Sequence, residues 1–377
     1  MTNIELLFIV ALFFSVYSYT VFPVFLSVLS KIVRRPWGKG ECSPMVTIII
    51  SAYNEEKDIE EKVRNSLQLD YPEDKLQIIV SSDGSSDRTN EIVEGIDDKR
   101  LSLRAFTGRL GKTACLNKVL DDIQGEIVVF TDANSMFAPD MVKHLVKNFS
   151  DPDIGSVSGW TKYCNPDSGE ETTGLYAKLE KKIKLDECMI SSCVGADGAI
   201  FAIRTNLYVP LGANDINDFI IPLNVIKQGK RVVLDKNIFC VEATTKGVKN
   251  IYSRQVRITT RTAWAIRRNI RLLNIFKYGS FSFFLFSHKI HRLLTPFFLL
   301  SAFILNLFIL PLSPFYVVTL AGQLLFWFTG LLALIGIGNK ISLASICMYF
   351  LITFTAQFVG CLRMAIGVED IMWTPKR

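Results

Sequence analysis

The chain has 377 residues, of which 49% are hydrophobic and only 21% are charged, and its formal net charge is +6. This composition excludes an intrinsically disordered chain, because disorder requires few apolar and many charged residues. The apolar share also exceeds what an ordinary soluble protein needs, so the composition predicts a membrane protein with a soluble part.

Three stretches contain no Asp, Glu, Lys or Arg: 6–30, 294–336 and 341–362. The first has no basic flank before it, is followed by Lys31, Arg34 and Arg35, and lacks a small-residue cleavage site. These features favour an uncleaved helix over a signal peptide, with its basic end in the cytosol. We therefore expect a transmembrane helix and basic flank over 1–40, and C-terminal transmembrane helices with a short tail over 293–377. The number of C-terminal crossings stays open.

The balance of acidic and basic residues differs between residues 41–242 and the region that follows. Residues 41–242 hold 33 acidic and 23 basic side chains, whereas 243–368 hold no acidic residue and 246–292 hold eleven Lys or Arg. The pattern predicts basic interface helices over 243–292 that meet anionic lipid head groups or phosphate-bearing ligands. A collar that only fixes membrane orientation is the alternative. The eight cysteines lack paired spacing, which argues against a zinc site or a disulfide framework.

Residues 41–242 alternate between β-branched runs and helical periodicity. Strands are predicted at 46–52, 76–81 and 126–131, and helices at 56–69, 87–95 and 112–123. Such alternation predicts a parallel sheet with helices on both faces and a ligand site at the carboxyl ends of the strands.

Polar motifs follow each of these strands: YNEE at 53–56, SDGSSD at 82–87 and DAN at 132–134. Each motif alone could be an ordinary helix cap or turn, but together they predict a site that binds a nucleotide and a divalent metal. The turn after the first strand is not GxGxxG and no Walker A motif occurs, which argues against a dinucleotide-binding dehydrogenase. Arg109 and Lys112 are then candidates for contacting phosphates.

These motifs, in this order, resemble those of family 2-type membrane nucleotide-sugar glycosyltransferases, which include cellulose, hyaluronan, chitin and poly-N-acetylglucosamine synthases. The resemblance covers nearly the whole chain. It continues through GADGAI at 195–200, NDF at 217–219, SHKI at 287–290 with Arg292, and a WTPKR tail at 373–377. It implies a GT-A-like, doubly wound mixed α/β sheet in the cytosol over 41–242, joined to an α-helical transmembrane part.

The implied activity is an inverting, metal-dependent transfer of a sugar from a nucleotide donor, expected to be UDP-linked. The acceptor is a growing polysaccharide or a lipid-linked glycan, and the new bond is β. Mg²⁺ or Mn²⁺ is the implied cofactor. The resemblance implies that Asp218 is the catalytic base and that Asp132 and Asn134 are metal ligands. It also implies one set of residues that bind the donor and one set that bind the acceptor. The donor-binding set is Tyr53, Glu55, Asp83, Asp87, Arg109, Lys112, Arg254 and Arg257, and the acceptor-binding set is Gly195, Ala196, Asp197 and Trp264.

Three departures from the family pattern leave alternatives open. Asn134 stands where a second metal carboxylate is usual, Asn217 replaces the acid before the base, and the Gln-x-x-Arg-Trp motif keeps only the spacing of Arg254 and Arg257. Trp264 lies two helical turns beyond Arg257, where it either stacks on the acceptor or anchors the chain at the interface. Long-polymer synthesis and the addition of one or a few sugars are both compatible with this pattern.

The expected partners are the donor, the glycan or lipid-linked acceptor, membrane lipids and other polysaccharide-export or synthase subunits, but no nucleic acid. The chain is expected in the cytoplasmic membrane as a multi-pass protein. The alternative function is a catalytically degenerate, nucleotide-sugar-binding partner of another polysaccharide synthase. Retention of Asp83, Asp132 and Asp218 favours the enzyme.

Overall fold

A computed structural model describes residues 2–165, 168–172, 174–244, 248–338 and 342–369. These residues form two compact units. The sheet unit comprises the described residues within Leu26–Thr245 and Arg271–Phe284, and the helical unit those within Met1–Phe25, Lys246–Ile270 and Leu285–Glu369. The WTPKR tail at 373–377 lies outside the described residues.

The sheet unit is built on eight strands in the order β3-β2-β1-β4-β7-β6-β8-β5. They are β1 Val46–Ala52, β2 Leu76–Asp83, β3 Leu101–Phe106, β4 Ile127–Asp132, β5 Met136–Phe137, β6 Ile154–Cys164, β7 Ile200–Arg204 and β8 Arg231–Ala243. The first four in this order run parallel, β7 is antiparallel to β4 and β6, β6 and β8 are parallel, and β5 is antiparallel to β8. The predicted mixed α/β sheet is confirmed.

The helices in chain order are α1 Asn3–Tyr17, α2 Val21–Ile32, α3 Ile59–Leu67, α4 Thr89–Glu94, α5 Lys112–Val119, α6 Met141–Lys147, α7 Leu175–Ile190, α8 Asn217–Lys227, α9 Val248–Arg268, α10 Ile275–Tyr278, α11 Ser280–Phe284, α12 His291–Ile309, α13 Pro314–Leu334 and α14 Ser342–Ala365. The predicted helix at 56–69 begins three residues later, because the YNEE motif forms a turn. The helix predicted at 112–123 ends at Val119 in a 3₁₀ turn.

The central strands pack on both faces, which explains their continuous β-branched runs. Five of the seven residues of β1 are fully buried, and the residues in the middle of β2 and β4 are also buried. Their register pairs Ala52 with Ser82 and Ser51 with Asp132. The three polar motifs after these strands therefore share one edge of the sheet.

The N-terminal apolar stretch is a bent pair of helices where a single helix is predicted from its composition. α1 and α2 meet at 58°. The hydroxyl of Ser18, at the break, donates a hydrogen bond to the carbonyl oxygen of Ser287 and shares a second one, 2.7 Å long, with Nδ1 of His291. Because these bonds use polar groups at the break, they offset the loss of helical hydrogen bonds there.

The helical unit is consistent with a membrane location. Three helices, Ser280–Leu312, Pro314–Leu334 and Leu343–Ala365, are long and apolar enough to span a membrane, and the bent pair would add a fourth if it is one span. A core of Phe8, Ala11, Ala302, Ile309 and Tyr316 joins α1, α12 and α13. The helices α9 and α14 approach closely at Gly360, where a Cβ would lie 2.6 Å from Thr259.

Candidate active site

The carboxylate at the end of β2 anchors the loop that follows β3. Asp83 is 6% exposed, and its Oδ1 accepts hydrogen bonds from the N–H groups of Leu110 at 2.7 Å and Gly111 at 3.1 Å. The other oxygen accepts a hydrogen bond from Arg109 Nε at 3.2 Å. Asp83 therefore holds the RLGK loop, residues 109–112, against the sheet edge.

Gly84 allows the turn after β2 to approach the segment that precedes the RLGK loop. Gly84 has φ +67°, and a Cβ on it would lie 2.4 Å from the carbonyl oxygen of Gly108. Because no side chain fits in that space, only glycine permits the contact between the two turns.

The YNEE turn is hydrogen-bonded to the turn after β2. Glu56 N–H donates to Asp87 Oδ2 at 3.1 Å, and Glu55 N–H donates to the Thr89 hydroxyl at 2.8 Å. Burial raises the pKa of Asp87, but hydrogen bonds from Thr89 and Glu56 outweigh it, so the net pKa is lowered. Glu55 is 3% exposed, buried beneath the turn instead of lying open to solvent.

Tyr53 and Arg109 form a stacked pair above the strand ends. The guanidinium carbon of Arg109 lies 3.3 Å from the centroid of the Tyr53 ring, a cation–π geometry. A small cavity beside the pair is lined by Ser51, Ala52, Tyr53, Ser81, Asp83, Lys112 and Cys115. Four residues predicted from the motifs as donor contacts thus share one place in the fold: Tyr53, Asp83, Arg109 and Lys112.

Asp132 ends β4 and is the candidate metal ligand. Its Oδ1 lies 2.5 Å from Lys112 Nζ, and its side chain is 30% exposed. Asn134, two residues on, is half-buried. Within the described ranges no three His, Cys, Asp or Glu side chains form a group that could hold a metal.

This donor set fits Mg²⁺ or Mn²⁺ bound together with a diphosphate. Mg²⁺ is commonly held by one or two carboxylates plus substrate phosphates, not by a cage of protein ligands. Asp132 supplies such a carboxylate in a half-exposed position, and the amide oxygen of Asn134 is a weaker oxygen ligand. The 2.5 Å contact with Lys112 indicates that the carboxylate is accessible to a cation.

A buried lysine lies under the DAN turn. Lys62 of α3 is fully buried, donates a hydrogen bond to the carbonyl oxygen of Ser135, and has its Nζ 3.3 Å from the centroid of Phe137. Burial lowers the pKa of Lys62 to about 7. The turn that carries Asp132 and Asn134 is therefore held in place by the amino group of Lys62.

The loop before β7 contains the acceptor-side residues predicted from the motifs. Gly195 has φ +78°. Ala196 N–H donates to the carbonyl oxygen of Asp218 at 2.8 Å. The carboxylate of Asp197 accepts 2.9 Å hydrogen bonds from the N–H and the hydroxyl of Thr161, which fixes this loop to β6.

Asp218 lies in the first turn of α8, against the same loop. A Cβ on Gly198 would lie 3.0 Å from Asp218 Oδ2, so the carboxylate packs directly on the main chain. Gly198 is two residues before Ile200, which pairs with Thr131 next to Asp132. The sheet register therefore brings the Asp218 loop to the carboxyl end of β4.

A second buried lysine supports this loop. Lys184 of α7 is 7% exposed, and its Nζ donates to the carbonyl oxygen of Ala196 at 3.1 Å. Burial opposes its charge, but Glu180, Cys193, Asp197 and Asp218 outweigh burial and raise the pKa of Lys184.

Three predicted residues lie on α9 in the helical unit: Arg254, Arg257 and Trp264. Arg254 is exposed and Arg257 half-buried. The indole N–H of Trp264 donates to the carbonyl oxygen of Val368 at 2.9 Å, and Arg267 lies 5.3 Å from its ring centroid. Their parts in donor and acceptor binding stay predictions.

The motifs did not reveal Lys62, Lys184 or Thr161. A signal for the two lysines exists: each lies at helical spacing from buried residues of its helix, Lys62 three positions after Ile59 and Lys184 four positions before Cys188. A charged residue on a buried helical face must find a partner, so this position marks a candidate for support of a site.

Comparison with known proteins identifies the domain. The model of the family "Glycosyl transferase family 2" matches residues 47–206. Residues 47–206 are therefore similar to family 2 glycosyl transferase domains. A β-monoglucosyldiacylglycerol synthase of Trichormus variabilis is 32% identical over 144 residues, 37% of this chain and 31% of that protein. A poly-β-1,6-N-acetyl-D-glucosamine synthase of Staphylococcus aureus is 25% identical over 220 residues, 56% of this chain and 53% of that one.

These alignments cover about a third and about half of the two relatives. A solved mannosyltransferase from Pyrobaculum calidifontis, in complex with GDP-Man and Mn²⁺, has a TM-score of 0.73, with 22% identity over 95% of this chain and 99% of that one. The family 2 resemblance and the GT-A-like fold are thus confirmed. The family 2 match includes Asp83, Asp132 and Asp197 but ends before α8, so Asp218 lies outside it.

Proposed function

We propose that the protein is an inverting glycosyltransferase that transfers a sugar from a nucleotide donor to a polysaccharide or lipid-linked glycan and forms a β-linkage. One observation carries the proposal. The register of β4 and β7 brings the Asp218 loop to the end of the strand that carries Asp132. This juxtaposition supports the proposed roles of Asp218 as the base for the acceptor and of Asp132 as a ligand on the donor side.

In this proposal the chain binds the donor between the loops after β1, β2 and β4. Tyr53, Glu55, Asp83 and Asp87 form or support the nucleoside site. Arg109 and Lys112 supply cations for the diphosphate. Asp132 and Asn134 hold Mg²⁺ or Mn²⁺, which, when bound, neutralises charge on the departing nucleotide.

Asp218 removes the proton from the acceptor hydroxyl as its oxygen attacks the anomeric carbon. The new C–O bond forms on the face opposite the bond to the diphosphate, which breaks and releases the nucleoside diphosphate. General-base assistance of this kind contributes about 10²–10⁴-fold in rate. Asn217, at the preceding position, cannot take up a proton, so Asp218 carries this role alone.

The remaining proposed sites serve binding. The loop of Gly195, Ala196 and Asp197 borders the acceptor, and Trp264 contacts it or the membrane interface. Arg254 and Arg257 contact the diphosphate. The helical unit anchors the chain as a multi-pass protein of the cytoplasmic membrane, with the sheet unit in the cytosol, where it meets the donor and membrane lipids. Association with other synthase or export subunits belongs to the same proposal.

The test uses the full-length protein in nanodiscs with a panel of UDP-, GDP- and other nucleotide sugars. We expect released nucleoside diphosphate with one donor, dependence on Mg²⁺ or Mn²⁺, and loss of release in Asp218→Asn. A protein that binds a donor but releases nothing with any acceptor extract supports the second candidate, a degenerate nucleotide-sugar-binding partner of another synthase. The amides Asn134 and Asn217 in place of carboxylates are the observation that favours it.

A further inference from the structure

Three lysines surround two aromatic rings on β6, β8 and α7; we call Trp160, Phe239, Lys162, Lys181 and Lys236 the lysine–tryptophan cluster. Lys181 Nζ lies 3.0 Å from the centroid of Trp160, and Lys162 Nζ lies 3.4 Å from that of Phe239. The indole N–H donates to the carbonyl oxygen of Lys236 at 3.0 Å, and the two rings pack with centroids 6.1 Å apart. The two rings thus hold the ammonium groups of Lys162 and Lys181, and the main chain of Lys236 is bound beside them.

The cluster gathers positive charge without pairing it. Among the residues that the structure describes, none of its three lysines has a carboxylate within 4.0 Å. Burial together with repulsion from Lys162 and Lys236 lowers the pKa of Lys181 to about 8, and Glu171 opposes the change. Like charges brought together on a surface are stabilised by an anionic ligand that contacts several of them.

This cluster is separate from the candidate active site. Side chains alternate along a strand, so Trp160 and Lys162 project from one face of β6 while Thr161, which hydrogen-bonds Asp197, projects from the other. Trp160 and Lys162 therefore lie on the face of β6 opposite to the one that holds the acceptor loop, and changes in them test a different surface.

Helix α7 connects the cluster to the apolar N-terminal segment. Lys182 Nζ lies 2.7 Å from Asp186 Oδ2 and also donates to Ser27 of α2, and Ser27 donates to the same carboxylate at 2.8 Å. On α2, Val28 is 53% and Ile32 is 74% exposed, which is compatible with contact to lipid. Lys181 is five residues from Asp186, about 7.5 Å along the helix axis. The cluster therefore lies within about one and a half helical turns of the contact between α7 and the apolar segment.

We propose that the lysine–tryptophan cluster binds the phosphate of an anionic membrane lipid head group. Ammonium groups contact the phosphate oxygens, and the Trp160 ring lies at the level of the lipid interface, where tryptophan is favoured. The proposal is independent of the transferase function, because it concerns a different face of the sheet unit.

The test is native mass spectrometry of the full-length protein, titrated in detergent with phosphatidylglycerol or with phosphatidylcholine. The variant Lys162→Gln/Lys181→Gln is compared with Lys99→Gln/Lys118→Gln, which removes the same charge from exposed positions outside the cluster. We expect the cluster variant to bind phosphatidylglycerol about tenfold more weakly and the control to bind like the wild type. Binding of phosphatidylcholine should be the same in all three.

Two further measurements show whether the cluster recognises the phosphate alone or the whole lipid, and whether a variant is still folded. Added inorganic phosphate that displaces phosphatidylglycerol from the wild type supports recognition of the phosphate group, and no displacement supports a need for the whole lipid. Lys236→Gln, at an exposed position, should weaken binding without altering the melting temperature. Equal weakening in the cluster and control variants, or unchanged binding in both Lys236→Gln and the double variant, overturns the proposal.

Discussion

The turn that carries Asp132 and the loop that packs against Asp218 are each supported by a buried lysine, but the pKa values of the two lysines are shifted in opposite directions. Lys62 donates to the carbonyl oxygen of Ser135 under the donor-side turn, and Lys184 donates to that of Ala196 under the acceptor-side loop. Burial dominates at Lys62, whose pKa falls to about 7, whereas nearby acidic groups raise the pKa of Lys184. The same hydrogen bond thus serves a neutralisable amine on one side and a permanent cation on the other.

The difference follows from what surrounds each ammonium group. Asp132 is the proposed ligand of a divalent cation, and a permanent charge beneath it would compete with that cation. On the acceptor side Asp197 and Asp218 lie near Lys184, and their charges outweigh its burial and keep it a cation. Lys184 therefore holds, as a charged group, the loop that packs against Asp218.

We expect the largest effects from replacing the carboxylate on each side, Asp218 on the acceptor side and Asp132 on the donor side. Asp218→Asn keeps the size of the side chain but removes its proton affinity, so transfer should fall by roughly 10²–10⁴-fold while donor binding persists. Asp132→Asn, the matched change on the donor side, should weaken metal-dependent donor binding itself. Isothermal titration with donor and Mn²⁺ beside a nucleotide-release assay distinguishes them. Near-normal turnover of Asp218→Asn would move the base elsewhere.

Next in size is the loss of the acceptor-side cation. Lys184→Met removes a buried cation near the half-buried Glu180, Asp197 and Asp218, together with its hydrogen bond to Ala196, and a hydrogen bond of a charged group contributes about 1.5–3 kcal/mol. The stability that a raised lysine pKa contributes is present below the unfolded pKa and is lost as the pH rises through the folded one. We therefore expect a large fall in melting temperature at pH 7 that shrinks at alkaline pH. Lys178→Met, exposed on the same helix, is the control and should melt like the wild type.

The donor-side lysine should behave in the reverse sense. Between pH 7 and the unfolded pKa of about 10.5, the unfolded state binds a proton that folded Lys62 has released, so stability rises with pH. The melting temperature of the wild type relative to Lys62→Met should increase across this window. Below pH 7 the difference should be constant, and Lys57→Met serves as an exposed control. A difference without any pH dependence would show that Lys62 is not deprotonated in the folded protein.

The smallest expected effect comes from two glycines, one on each side. Gly198→Ala brings a Cβ to 3.0 Å from Asp218 Oδ2 and should lower kcat about tenfold by displacing the base, with donor KM unchanged. Gly84→Ala forces the turn away from Gly108 and should raise donor KM instead. Steady-state kinetics of both variants measure the split, which an equal change in both parameters would contradict.

Sequence patterns predicted the donor half better than the acceptor half. The strands β1, β2 and β4 are continuous runs of β-branched residues, and the polar motifs after them are short and local, so Asp83 and Asp132 could be located without a structure. β6 contains the sequence GSVSGW, whose small residues do not form the β-branched run that marks a strand. A Cβ at Gly159 would lie 2.8 Å from Ile238 and 3.0 Å from Ile200, so glycine is needed for the close packing there. β3 alternates exposed and half-buried residues at the sheet edge and escaped prediction for that reason.

The supporting contacts could not be predicted because they join distant segments. Thr161 and Asp197 are 36 residues apart, and Lys62 and Ser135 are 73 apart. Their meeting depends on the strand order, in which β7 and β6 follow β4 out of sequence. The bend between α1 and α2 likewise depends on a hydrogen bond between Ser18 and His291, which no local pattern contains.

The full set of hydrogen bonds on Asp83 has a consequence for how fast a donor binds. A carboxylate has about four acceptor sites, and in the free protein donors from the loop, Arg109 and the Cys115 thiol already use them. A nucleotide that contacts Asp83 must exchange these bonds, so association proceeds through an encounter complex followed by a loop rearrangement. The observed binding rate should then level off at high donor concentration, and the plateau is the rate constant at which the RLGK loop releases its aspartate.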